Sequence, residues 1–230
     1  MSEILKLDQA RPEVQRRFMV GVYARMVVAL VLTAVAALVT VTVPEVLRFV
    51  FASKYTFMGL IIAELAIVMI LSLLVRKLSP FVAGLMFVLY SIINGMTLSS
   101  IFLVYQLGSI VTVFFISAGM FLAMTIYGMF TKTNLNSAGR YLMMALFGLI
   151  IVGIVNLFLK SSMLEWIYSV VGVAIFVGLT AYDTQKLRQI AIYDDGSQNF
   201  KKFAIIGALE LYLDFINIFL KLLRLFGKKK

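Results

Sequence analysis

Apolar positions along this chain gather into long unbroken runs, with neither the two-residue alternation of a half-buried strand nor the narrow apolar stripe of a soluble helix. Seven runs lie near residues 20–43, 57–75, 81–105, 109–130, 141–159, 163–182 and 203–224. Each is close to the roughly 20 residues that an α-helix needs to cross the hydrocarbon core of a bilayer. The pattern predicts an all-α integral membrane protein, a bundle of seven transmembrane helices. Ahead of the first run, "MSEILKLDQARPEVQRRF" is mixed in charge and too polar for a cleaved signal peptide. Residues 1–19 are therefore read as a cytosolic N-terminal arm, 20–227 as the transmembrane domain and 228–230 as a basic tail. The connections "RKLSP", "QLGS" and "KSS" are short, so sequential helices are expected to pack as antiparallel neighbours. The segment "PEVLRFVFASKYT" between the first two runs has room for a short interfacial helix.

Composition agrees with the pattern and narrows the chemistry. Of 230 residues, 62% are hydrophobic and 14% charged, whereas a soluble domain has about a quarter of its residues charged. There are no cysteines and no histidines, which removes disulfides, iron–sulfur clusters and thiolate or imidazole zinc sites. Ion chemistry would have to use carboxylates, amides, hydroxyls or carbonyls, which suit protons and hard cations. No tightly bound cofactor is expected. The net charge of +10 fits basic loops beside a lipid bilayer, and nothing in the pattern supplies a soluble basic face for nucleic acid.

Lysine and arginine counts in short loops set the expected orientation. With the N-terminus in the cytosol, the inner segments carry Lys6, Arg11, Arg16 and Arg17, then Arg76 and Lys77, then Lys132 and Arg140, then Lys186, Arg188, Lys201 and Lys202. The outer loops carry only Arg48, Lys54 and Lys160. The C-terminal "KLLRLFGKKK" argues the other way, because seven spans place it outside. Either the last segment is re-entrant or the tail is tolerated there. The short arm, with no long proline-rich extension, points to a bacterial inner membrane.

Against this apolar background the intramembrane polar residues stand out. Asp214 lies about 11 residues into the seventh run, roughly 16 Å along a helix. Glu210, Asp214, Asn217 and Lys221 fall within about 60° of one another on that helix. An ionised group at the bilayer centre costs at least about 2.5–3.5 kcal/mol, so this stripe should face protein or water, and the C-terminal helix is expected to be central. Glu64, Asn94 and Asn156 could line the same interior, with Ser91, Thr97, Ser99 and Ser100. Most of the small polar positions read more simply as helix-packing contacts. Lys221 and Arg224 are expected to snorkel to the interface. Asp183, in "AYDTQKLRQI" (181–190), stands where the sixth run stops, and reads either as an interfacial loop residue or as a membrane carboxyl.

At these stretches the sequence resembles a known family. "FVGLTAYDTQKL" (176–187) and "GALELYLDFINIFLKLLRLFG" (207–227) are similar to the paired signatures of the Bax inhibitor family, and the likeness extends to "KLSP" (77–80) and "GMTLSSIFLVY" (95–105). The resemblance implies a seven-helix bundle with its last helix central, and a pH-sensitive calcium leak across the membrane. It implies that Asp183 and Asp214 form a carboxyl pair, the candidate Ca²⁺ ligands. It also implies that a basic residue after the second helix, Lys77 or its neighbour Arg76, latches the pair in a closed form. Two carboxyls in one low-dielectric site titrate as a pair, and with no histidine in the chain such a pair is the natural sensor of protons.

Two rivals belong to other classes. An intramembrane aspartyl protease also needs two aspartates on neighbouring helices, but here the second follows "LYL" rather than a glycine-containing turn, and no Pro-Ala-Leu element occurs near the C-terminus. No enzyme activity is therefore expected. The other rival is a regulator that binds membrane proteins, such as a membrane protease or a cell-death partner, with the aspartates serving only the fold.

Overall fold

The computed structural model describes the backbone of residues 2–75, 77–194 and 196–230, with side chains from Pro12 onward. Among the described residues the chain forms nine helices: α1 (Ser2–Thr42), α2 (Pro44–Phe51), α3 (Lys54–Leu74), α4 (Pro80–Leu98), α5 (Ser100–Val104), α6 (Leu107–Phe130), α7 (Asn136–Leu159), α8 (Ser162–Ala191) and α9 (Gln198–Phe226). Among the described residues seven spans are long and apolar enough to cross a membrane, with α4 and α5 counting as one. This is a multi-pass helical membrane protein. Helices suit that solvent because each satisfies its own backbone hydrogen bonds where no water is present.

Local sequence explains the helix starts. Ser53 and Ser79 cap α3 and α4 by accepting from Tyr55 N–H at 3.0 Å and Val82 N–H at 3.2 Å. Pro44 and Pro80 open α2 and α4 at positions where a missing N–H does no harm. The segment between the first two spans holds α2 as the sequence suggested. Lys160 ends α7 in the left-handed conformation at φ 50°, with its N–H on Asn156 C=O.

Two expectations about helix ends are corrected. The sixth span does not stop at residue 182: α8 continues to Ala191, so Asp183 is a mid-helix residue. Leu187 and Ala191, one and two turns beyond it, are fully buried, and the polar residues of this stretch are bound to protein. Gln185 donates to Thr133 C=O and accepts from Leu135 N–H, both at 2.8 Å, and Arg188 reaches Met129 C=O. Charges held this way need not end a helix. The last span starts at Gln198 rather than near 203. Asp214 is thus sixteen residues past its first residue, about 24 Å along the axis. α9 is one continuous helix of 29 residues, about 43 Å long and apolar enough to cross a membrane. The tail beyond it is held at the start of α6, where Gln106 N–H donates to Lys228 C=O at 2.9 Å and Lys228 N–H to Ser109 Oγ at 3.1 Å.

The chain divides into two compact units. The first takes in α1 to α5 and α9 as far as Tyr212; the second takes in α6, α7, most of α8, and α9 from Leu213. In the first, a side chain on Gly95 would collide with Thr33 C=O and Ala36 of α1. Thr33 also donates to Ser91 C=O at 2.9 Å, so α1 and α4 run parallel in close contact. In the second, glycines again let backbones approach: Gly128 of α6 abuts Ala181 and Thr184 of α8, and Gly178 of α8 faces Leu142 of α7. Helices in lipid associate through this small-residue packing, since apolar burial alone does not separate helix from lipid. Of the seven spans α9 is the most buried, with 67% of its apolar window covered against 39% or less for the others.

Candidate functional site

Asp183 and Asp214 both belong to the second unit and both are buried, at 9% and 4% exposure. Their relative level follows from the contact between α8 and α9, consecutive helices that run antiparallel. A Cβ placed on Gly172 would meet Lys221 Cε at 3.0 Å and Cγ at 3.3 Å. Residues 172 and 221 therefore lie at one level. Counted from there toward the joining turn, Asp183 is eleven residues along α8 and Asp214 seven back along α9. The two are offset by one to two helical turns, roughly 6–10 Å along the axes. Asp183 also has a local cation, Lys186 Nζ at 3.7 Å, one turn along α8. The sequence reading missed this pairing, although the i, i+3 spacing was there to suggest it.

α6 supports both aspartates. Gly128 packs against the α8 turn that carries Asp183, through Ala181 and Thr184. Two turns earlier, Phe121 meets Phe215, the neighbour of Asp214, edge to face at 5.7 Å between ring centroids, and Phe114 meets the same ring at 5.4 Å. The carboxyl-bearing turns are thus wedged by a glycine on one side and aromatic rings on the other.

The stripe on α9 divides. Asp214 and Lys221 are buried, while Glu210 and Asn217 are half-buried. Lys221 does not snorkel, contrary to the sequence reading: its exposure is 5%, and Nζ lies 3.2 Å from the centroid of the Tyr168 ring. Gly172 leaves the room its stem requires, and a ring face is one of the few places where a desolvated ammonium is stabilised inside protein. Arg224, one turn on, is exposed as expected. Asn217 donates to Leu213 C=O of its own helix at 2.8 Å. Asn156 accepts from Ser161 N–H at 3.0 Å, a local contact at the end of α7.

Other expected interior residues come together in the first unit. Glu64 of α3 accepts from Asn94 Nδ2 at 3.0 Å and from Thr97 Oγ1 at 2.6 Å, both on α4. The cluster extends through a residue that the sequence reading passed over: Tyr212 O–H donates to Asn94 Oδ1 at 2.9 Å, and its oxygen lies 2.7 Å from Thr33 Oγ1 of α1. One tyrosine on α9 thereby bonds α1 and α4 directly, and reaches α3 through Asn94 and Glu64. Lys77 is exposed in the turn after α3, and Arg76 lies outside the described residues. Among those residues no group of three or more histidine, cysteine, aspartate or glutamate side chains is gathered as a metal site. The Asp183 and Asp214 carboxyls alone fall short of the roughly six to eight oxygens of a resident Ca²⁺ site.

Comparison with known proteins adds ancestry to this geometry. A family sequence model described as "Inhibitor of apoptosis-promoting Bax1" matches residues 15–230. The chain is 47% identical over 215 residues to the inner membrane protein YbhL of Escherichia coli (strain K12), covering 93% of this chain and 92% of the relative. It is 39% identical over 230 residues to a protein of Borreliella burgdorferi, with 99% of each chain covered. With a protein of Deinococcus radiodurans it shares 40% identity over 225 residues, covering 98% and 96%.

Proposed function

The chain belongs to the Bax inhibitor family, and on that premise we propose that it is a proton-sensitive calcium leak of a bacterial inner membrane, with its N-terminus in the cytosol. The observation that carries this reading is the burial of two carboxyls on consecutive helices, Asp183 on α8 and Asp214 on α9, within about two helical turns of one another in level. Two carboxyls that approach closely enough to interact in a low-dielectric setting titrate as a pair. Ionised, they offer oxygens to a passing Ca²⁺ or to a basic latch at Lys77 or Arg76; protonated, they lose the charge that holds either. The protonation state of the pair then biases which arrangement of the helices is populated. An incomplete ligand set suits a cation in passage better than one retained.

The test is Ca²⁺ entry into dye-loaded liposomes holding the purified protein, across pH 5 to 9. The wild-type chain is expected to show flux that changes with pH. Asp183→Asn and Asp214→Asn are each expected to alter its size and to flatten its pH dependence. Profiles unchanged in both variants would overturn the sensor, and absence of flux from the wild-type chain alone would overturn the leak.

A further inference from the structure

We propose that the first unit carries a binding groove for one anionic phospholipid, formed by the parallel helices α1, α4 and α9 with Arg25 and Lys201 as the headgroup site. The cavity has a volume of about 810 Å³ and is lined by α1 from Gly21 to Ala29, α4 from Pro80 to Val88, and Lys201 and Ile205 of α9. It is independent of the aspartates and of the leak.

The groove has a built-in polarity. α1 and α4 are in register where Thr33 meets Ser91 C=O, and Gly84 faces Ile205 of α9. Arg25 and Lys201 therefore stand near the level of Pro80, where α4 begins, while Val28 and Val88 lie deeper along the same helices. Arg25 leans further toward that end, with Nη1 donating to Gly21 C=O at 2.8 Å. Gly21 makes this possible, because a Cβ there would sit 2.9 Å from Nη1. Both cations are exposed, so their charge is available to a ligand.

Below them the walls are apolar and face outward. Phe81, Leu85 and Val28 are 79%, 58% and 56% exposed. Gly84 keeps the floor open, since a Cβ there would meet nothing nearer than Ile205 Cδ1 at 4.0 Å. On a helix standing in a bilayer, an outward-facing apolar trough is filled by acyl chain. Two cations at its mouth select a chain whose head is anionic, the arrangement by which basic pockets between membrane helices hold charged headgroups. Charge complementarity thus separates this occupant from a zwitterionic lipid, which would fill the trough but gain little from the cations.

The test is native mass spectrometry of the full chain released from detergent with equimolar phosphatidylglycerol and phosphatidylcholine. One phosphatidylglycerol is expected to stay bound, preferred by about 30-fold, the contribution of two cations beside an anionic lipid. Arg25→Gln with Lys201→Gln is expected to bring the preference close to unity. Gly84→Leu, which fills the trough without disturbing the charges, is expected to lower phosphatidylglycerol retention about tenfold or more, by an effect of the size that a blocked hydrophobic contact produces. Lys54→Gln, at the start of α3, is expected to change neither. Equal retention of the two lipids, or a preference that survives the double glutamine variant, overturns the proposal. Retention unaffected by Gly84→Leu, or displacement of the lipid by inorganic phosphate, overturns it equally, because each would show that a charged surface suffices without the groove.

Discussion

Tyr212 stands two residues before Asp214 in "LYLDF", and nothing in the hydropathy of that stretch separates it from its leucine neighbours. Its hydroxyl nevertheless closes the cluster of Glu64, Asn94 and Thr33, while its ring packs edge to face on Phe87 and Tyr90 at 5.8 and 5.7 Å. Tyr212→Phe keeps the ring contacts and strands Asn94 Oδ1. The expected loss is about 1 kcal/mol, the usual scale for one hydrogen bond between membrane helices. Thermal unfolding in detergent should show a lower midpoint, and an unchanged midpoint would mean that the hydroxyl contributes only position. Lys221 makes the same point in the opposite direction. A long basic side chain near a helix end predicts snorkelling, but a glycine at 172 and a tyrosine at 168 on another helix give it a place inside. The cue for that lay fifty residues away in the sequence.

At the scale of elements, the spans were legible because bilayer thickness acts on each helix separately. Their ends were less so: α8 outruns its apolar run by nine residues and α9 begins five residues earlier than its own. In both cases polar residues continue the helix where tertiary contacts receive them. Glycines are a further part of the element code. Gly128→Ala drives a Cβ against the carbonyl of Ala181, and should destabilise the fold by about 1–3 kcal/mol, as overpacking does. Gly119→Ala, on the same helix, meets nothing within 4 Å and should be neutral or stabilising by up to about 1 kcal/mol. Unfolding midpoints of the two variants check the contrast. Equal effects would show that helix propensity, and not the contact with α8, sets the outcome.

At the scale of the molecule, seven spans each long and apolar enough to cross a bilayer predict termini on opposite faces of the membrane. α1, α4 and the first half of α9 run parallel, as spans of odd number must. Reporters fused before Ser2 and after Lys230 are expected to read opposite sides, the N-terminal one cytosolic, despite the basic tail "KKK". A C-terminal reporter active in the cytosol would overturn the seven-span order.

The sequence alone determined the solvent, the number of spans, the family resemblance and the two aspartates worth asking about. These follow from transfer energies that act residue by residue and from motifs contiguous in the chain. Tertiary structure decided which polar groups meet. It gathered Glu64, Asn94 and Thr33 around Tyr212, buried Lys221 on Tyr168, carried Asp183 into mid-helix and opened a groove beneath Arg25. Contacts of that kind depend on the rotation and register of helices against one another, and those are fixed by small residues and buried hydrogen bonds drawn from distant parts of the chain.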